Sequence, residues 1–228
     1  MIGLLRVKNE ARWIARSVRS ILPVCDRVLV MDDHSTDGTP EICAAIPRVE
    51  VLASPFEGLD ETRDKNWLLG ECDGDEWVLM IDGDEMLAPS SVPAVLAAMR
   101  SPRGCYSFQI LYLWDSENQI RLDGIYGHFS RPSMFRPDGS PFMARARGGF
   151  HCGNAPIPLQ SVARRLDAQL LHFGYMYRDD RVRKFEWYNR QDPGNTLEDG
   201  YRHMVIGDSF PADSTFLHAG PLKLAPLS

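Results

Sequence analysis

The stretch Val78-Leu79-Met80-Ile81-Asp82-Gly83-Asp84-Glu85 runs four apolar residues into three carboxylates gathered around one glycine. The apolar run is too short for a helix and rich in strand formers, so it reads as a buried strand. Alternate residues of a strand point the same way, so Asp82 and Asp84 are spaced to converge. Two carboxylates that close repel unless a positive charge lies between them. A divalent cation that prefers hard oxygen ligands, bound in turn to phosphates, is the simplest such charge. An isolated acidic turn reads as a solvated loop; the apolar strand before it and further polar clusters favour a site. An EF-hand is excluded. Counting from Asp33 puts Ala44 where the loop's last acid must stand, and counting from Asp82 puts Leu87 where its glycine must stand.

The elements that must hold this turn follow from the pattern of residues 1–87. Ile2 to Val7 reads as a strand followed by the polar turn Lys8-Asn9-Glu10. Trp13, Ile14, Val18, Ile21 and Leu22 recur at helical spacing, with Arg12, Arg16 and Arg19 opposite. Arg27 to Met31 is a second strand, running into Asp32-Asp33-His34-Ser35-Thr36-Asp37-Gly38-Thr39, and Pro40 opens a short helix. Val49 to Leu52 is a third strand, Glu61 to Glu71 a helix, and Trp77 to Ile81 the fourth strand. Strands alternating with helices over short connections imply a parallel sheet with crossover helices. Ligands of such sheets bind beyond the carboxyl ends of the strands, the edge where the clusters after strands one, two and four all fall.

Beyond a helix from Pro89 to about Met99 the pattern changes. Tyr106 to Trp114 reads as a strand, with shorter candidates at Ser133–Phe135, Gly148–Phe150 and Gln169–Leu171, and Arg181 to Arg190 as a helix. The tail from Pro211 shows little periodicity. No repeat and no linker divides the chain, so one domain of 228 residues is expected. A formal charge of −6, without a dense Lys/Arg run, argues against nucleic acid as a partner. Five scattered cysteines with no C-x-x-C pair encode neither a zinc site nor a disulfide framework, which suits a reducing cytoplasm. No apolar run approaches transmembrane length and no signal peptide is visible; peripheral membrane contact stays open. No P-loop, nucleophile elbow or G-x-G-x-x-G motif is present.

The ordered set of motifs resembles the family 2 glycosyltransferases of the GT-A fold, which use nucleotide-diphosphate sugars and generally invert the anomeric centre. The residues that carry the resemblance are Val7-Lys8-Asn9-Glu10, Asp32 to Thr39, Thr62-Arg63-Asp64-Lys65-Asn66 and Asp82-Gly83-Asp84-Glu85, in the family's order over residues 1–90. It implies an α/β, Rossmann-like, mostly parallel sheet flanked by helices. Residues 1–90 would form the nucleotide-sugar-binding half and 91–228 an acceptor-side β/loop extension within one domain.

By the same resemblance, Lys8, Asn9, Glu10, Asp32 and Asp33 line the nucleoside pocket and Arg63 approaches the base or phosphates. Asp82 binds the ribose or the metal, Asp84 is the main metal ligand and His172 completes the coordination. Carboxylate and phosphate oxygens suit Mn²⁺ or Mg²⁺, and one imidazole tilts toward Mn²⁺. The implied partners are a nucleotide-diphospho-sugar donor and a glycan, lipid-linked or small-molecule acceptor. Where related sequences carry a His-Glu pair, this chain reads His151-Cys152. The base is therefore sought at His151 or Asp123, with Asp115 and Glu117 as further alternatives. Trp114, Tyr126, Phe129 and Trp187 are candidate stacking faces for a sugar, against the plainer reading that they pack. Two rival readings are a nucleotidyltransferase, against which the glycine-free turn after the first strand counts, and a non-catalytic nucleotide-sugar or carbohydrate-binding module.

Overall fold

A computed structural model of the protein describes residues 1–72, 74–102, 104–143, 152–194, 199–205 and 222–227. In chain order its elements are β1 (Ile2–Val7), α1 (Ile14–Ile21), β2 (Arg27–Asp32), α2 (Thr39–Ala44), β3 (Val49–Ala53), α3 (Glu61–Gly70), β4 (Val78–Met80), β5 (Glu85–Leu87) and α4 (Val92–Ala98). They continue with β6 (Cys105–Trp114), β7 (Ser116–Arg121), β8 (Ser130–Phe135), α5 (Ile157–Gln160), β9 (Arg164–His172), α6 (Arg178–Gln191) and β10 (Leu224–Pro226). The chain groups into two compact units, Met1–Gln109 with Ser130–Leu170, and Ile110–Phe129 with Leu171–Ser228. Strand β6 begins in the first and ends in the second.

The first unit is an α/β sheet. β1 pairs in parallel with β2 on one side and β4 on the other, and β2 pairs in parallel with β3. The chain thus adds strands on one side of β1 and then returns to its other side. That reversal makes a topological switch point between β1 and β4, where sheets of this kind open a crevice at their carboxyl edge. β8 continues the sheet antiparallel to β4, and the first half of β6 pairs with β8.

Burial explains the strand sequences. Ile2, Leu4, Leu5, Val28, Val30, Met31, Val78, Leu79 and Met80 are almost wholly buried, as both faces of a covered parallel sheet require. Helix α1 covers one face with Ile14, Ser17, Val18 and Ile21, spaced three and four apart. It lies so close to β1 that a Cβ at Gly3 would stand 2.6 Å from Ile21 Cδ1. Helix α3 starts at Glu61 because Asp60 caps it, its side chain accepting from the Arg63 amide at 3.0 Å.

The expected elements of residues 1–87 are present, β4 being shorter than the Trp77–Ile81 run. β8 starts three residues earlier than expected and β9 five. Strands β5, β7 and β10 were not foreseen, and the Gly148–Phe150 candidate lies outside the described residues. Among the described residues no helix is long and apolar enough to cross a membrane.

The second unit is built on a buried ion pair. Arg121, at the end of β7 and 0% exposed, donates to both oxygens of Asp123 at 2.7–3.0 Å. Its guanidinium lies over the rings of Trp114 and Tyr126, at 4.5 and 4.1 Å, and Asp123 Oδ1 also accepts from the Lys223 amide. β7 pairs with the end of β6 and with β10. Removing one partner of such a pair leaves the other charged and buried, which costs about 3–5 kcal/mol. Asp123→Ala is therefore expected to lower the unfolding free energy by about that amount, measured by chemical denaturation; a variant of unchanged stability would remove the pair from its structural role.

Candidate functional site

The switch point gathers three polar segments, because β4, β1 and β2 are neighbours in the sheet and end on the same edge. The Asp82–Glu85 turn follows β4, Lys8-Asn9-Glu10 follows β1, and Asp32 to Thr39 follows β2. Gly83 lets the acidic turn lie against the end of β1: a Cβ there would stand 2.9 Å from Val7 Cγ1 and 3.0 Å from Glu10 Cγ.

Side chains from distant segments hold the acidic turn. Arg131, on β8, donates to Asp82 Oδ2 at 2.9 Å and to Glu85 Oε2. Asn154 Nδ2 donates to Asp82 Oδ1 at 3.2 Å. Asn154 is oriented by the ammonium of Lys65, which donates to Asn154 Oδ1 at 2.9 Å and to the Cys152 carbonyl at 2.7 Å. Ser17 Oγ donates to the Asp82 and Glu85 carbonyls, and Glu85 Oε2 accepts from the Asp82 amide at 3.0 Å. Glu85 is wholly buried, and burial pushes its carboxyl up to about 7 despite the opposing pull of Arg131, with the charges of Asp82 and Asp84 adding to the rise. Asp84, 4% exposed, sits between these two anchored carboxylates in the chain.

The loops after β1 and β2 interlock. The Asn9 amide donates to Ser35 Oγ, Asn9 Oδ1 accepts from the Thr36 amide, the Glu10 amide donates to Thr39 Oγ1 and the Ala11 amide to Asp37 Oδ2, all at 2.8–3.0 Å. Asn9 and His34 take left-handed backbone angles (φ 56° and 55°) to make this crossing. Asn9 and Glu10, expected to line the nucleoside pocket, thus also latch two loops together. Asp32 Oδ2 accepts from the Ser35 amide at 2.9 Å, while its Oδ1 is buried with no hydrogen-bond partner among the described residues.

Beside Asp32 lies a second charge network. Arg6 donates to Asp33 Oδ2 at 2.6 Å and to Asp64 Oδ2 at 3.1 Å, and Lys8 Nζ stands 3.4 Å from Asp33 Oδ2. Asp64, fully buried, also takes Arg63 Nε at 2.9 Å. Arg63 is fixed further by the Glu57 and Gly58 carbonyls and lies over the Phe56 ring at 4.4 Å. The structure therefore brings Lys8, Asp33 and Arg63 into one network through Arg6 and Asp64.

His172 belongs to the second unit, with its ring against Tyr112 and Tyr175 at 4.9 and 4.5 Å. Asp123, also there, has both oxygens engaged by Arg121. His151 lies outside the described residues. Cys152, at the position expected to be acidic, is buried, and burial pushes its thiol up, so it stays protonated at neutral pH. Of the candidate stacking faces, Trp114 and Tyr126 are buried against Arg121. Among the described residues, no group of three or more His, Cys, Asp or Glu side chains is arranged to hold a metal ion.

Sequence reasoning missed Arg131 and Asn154, which carry no local signal. Arg6 had one: a single charge inside the apolar run of β1.

A family model described as Glycosyl transferase family 2 matches residues 5–158. An uncharacterized glycosyltransferase of Rickettsia prowazekii is 31% identical over 137 residues, covering 57% of this chain and 40% of its own length. An uncharacterized protein of Mycobacterium tuberculosis is 25% identical over 211 residues, covering 85% of this chain and 51% of its own length. The chain thus spans about half, or less, of the curated relatives it matches. The crystal structure of S. aureus TarS aligns with 90% of this chain and 42% of its own at 14% identity and a TM-score of 0.55, a likeness of fold. The match over 5–158 takes in the acidic turn, both interlocked loops and the Arg131 and Asn154 anchors, and the chain belongs to glycosyl transferase family 2.

Proposed function

We propose that this chain moves a sugar from a nucleotide-diphosphate donor to an acceptor hydroxyl, with inversion and with the help of Mn²⁺ or Mg²⁺. The observation that carries the reading is the acidic turn at the switch point, held by Arg131 and Asn154 on the same sheet edge as a buried acceptor, Asp32 Oδ1, that has no partner among the described residues.

A hard divalent cation here would take carboxylate oxygen from the turn and its remaining ligands from the donor's phosphates and water. Asp84 supplies carboxylate oxygen within a turn whose other two carboxylates are braced by Arg131. Asp84 is the main ligand in this reading, and Asp82 supports it from the ribose side. When bound, the cation supplies charge neutralisation for the departing diphosphate.

The chain's own residues do the rest. Asp32 Oδ1 accepts from a nucleoside N–H or hydroxyl, relieving a buried unsatisfied acceptor that costs about 1–3 kcal/mol. Asp33 and Arg63, held rigid by Arg6 and Asp64, present fixed charges to the base and phosphates. Since Asp123 is engaged by Arg121, His151 takes the acceptor's proton, a role that contributes ~10²–10⁴-fold. The acceptor is a glycan, a lipid-linked sugar or a small molecule.

A panel of UDP-, GDP- and dTDP-sugars with Mn²⁺, read first by thermal shift and then by nucleotide release, tests the activity. Asp84→Asn is expected to lower release at least ~100-fold while the melting temperature of the free protein holds; wild-type release from that variant would sink the reading. Asp32→Ala is expected to raise the donor KM by about tenfold with little change in stability, because the loss of one bond to the Ser35 amide is offset by removal of the unsatisfied oxygen. An unchanged KM would take Asp32 out of the donor pocket.

A further inference from the structure

The acidic turn proposed to hold the cation already contains one. Arg131 comes from β8, where it pairs in register with Phe108, and its guanidinium spans Asp82 Oδ2 and Glu85 Oε2. Its side chain is only 18% exposed and Glu85 is fully buried, so the charge is held in place and poorly screened. Asp82, braced on its other oxygen by Asn154, is not free to swing away with it.

We propose that Arg131 is a positioning residue that makes cation binding conditional on the nucleoside diphosphate. The inference rests on the metal reading above. A bare divalent cation approaching Asp84 meets a fixed guanidinium that compensates part of the turn's negative charge and repels a second positive charge. The complex of that cation with a nucleoside diphosphate carries net negative charge, so the same guanidinium attracts it. One fixed charge therefore acts with opposite signs on the two species. The free enzyme holds its turn in shape without metal, and metal and donor enter together.

The test uses Mn²⁺ as probe, titrated into the protein and read by the EPR signal of free Mn²⁺, first alone and then with UDP, GDP or dTDP present, each corrected by a protein-free titration for the Mn²⁺ that the nucleotide itself chelates. For the wild type, Mn²⁺ is expected to bind at least about tenfold more tightly with a nucleotide than without; equal affinities would overturn the proposal without any variant. Arg131→Gln, checked for folding by its melting curve, is expected to tighten Mn²⁺ alone by about fivefold and to weaken the Mn²⁺–nucleotide complex by a similar factor. A merely structural role would move both affinities the same way or leave both alone, and either result overturns the proposal. Arg131→Lys keeps the charge but not the planar fork, so it is expected to restore the wild-type order of the two affinities. If the wild type binds Mn²⁺ neither alone nor with any of the three nucleotides, the metal reading fails and this inference with it. If the wild type binds and Arg131→Gln behaves identically, only the inference fails.

Discussion

Three carboxylates within four residues repel one another, and the placement of the surrounding side chains follows from that constraint. Asp82, Asp84 and Glu85 sit where β4 ends and are hemmed in by the close approach of β1 at Gly83. The turn keeps its shape because Arg131 bridges two of the three and Asn154 takes the remaining oxygen of Asp82. Asn154 is in turn set by Lys65, an ammonium buried at 6% exposure whose partners are two carbonyls and the Asn154 amide oxygen. A buried ammonium with no hydrogen-bonding partner would be costly; here it fixes the segment after residue 151 against α3. The Glu61 carboxylate helps by accepting from the Cys152 amide. A motif on a helix thus reaches the acidic turn through one intermediate residue.

This network explains what was legible in the sequence and what was not. The alternation of strands and helices through residue 87 is written in local periodicity, because a strand covered on both faces must be apolar throughout and a covering helix must be amphipathic. The carboxyl-edge clusters were legible for the same reason, since polar residues that end an apolar strand have one place to go. Arg131 and Asn154 were not legible, because they act on Asp82 from 49 and 72 residues away and nothing beside them in the chain marks the partner. Strand β7, Ser-Glu-Asn-Gln-Ile-Arg, lacks the apolar alternation that betrays a strand; pairing with β6 and β10 forms it instead. The first half of β9 is polar and exposed, which hid its true start.

Asp123 shows how residue type misleads when partners are unknown. A carboxylate in the half expected to face the acceptor is a reasonable base on composition alone. Two residues before it, Arg121 is fully buried, and a buried guanidinium needs a counter-charge. Asp123 is that counter-charge. The same logic assigns Asp64: it sits in the middle of a family-like motif, yet its buried carboxylate serves to hold Arg6 and Arg63, and through Arg6 it is linked to Asp33.

The interlocked loops after β1 and β2 bear on how the residues at this sheet edge can be varied. Asn9 is both a pocket candidate and the acceptor for the Thr36 amide, and its own amide depends on Ser35. Substitutions at contacting positions are not additive, so a library randomised at Asn9 alone would chiefly sample broken crossings between the loops. Productive variants at position 9 are to be sought together with changes at 35 and 36, as one coupled block. Within the neighbouring network of charges, position 63 is similarly tied to 6 and 64, so these positions form two small epistatic groups rather than independently tunable sites.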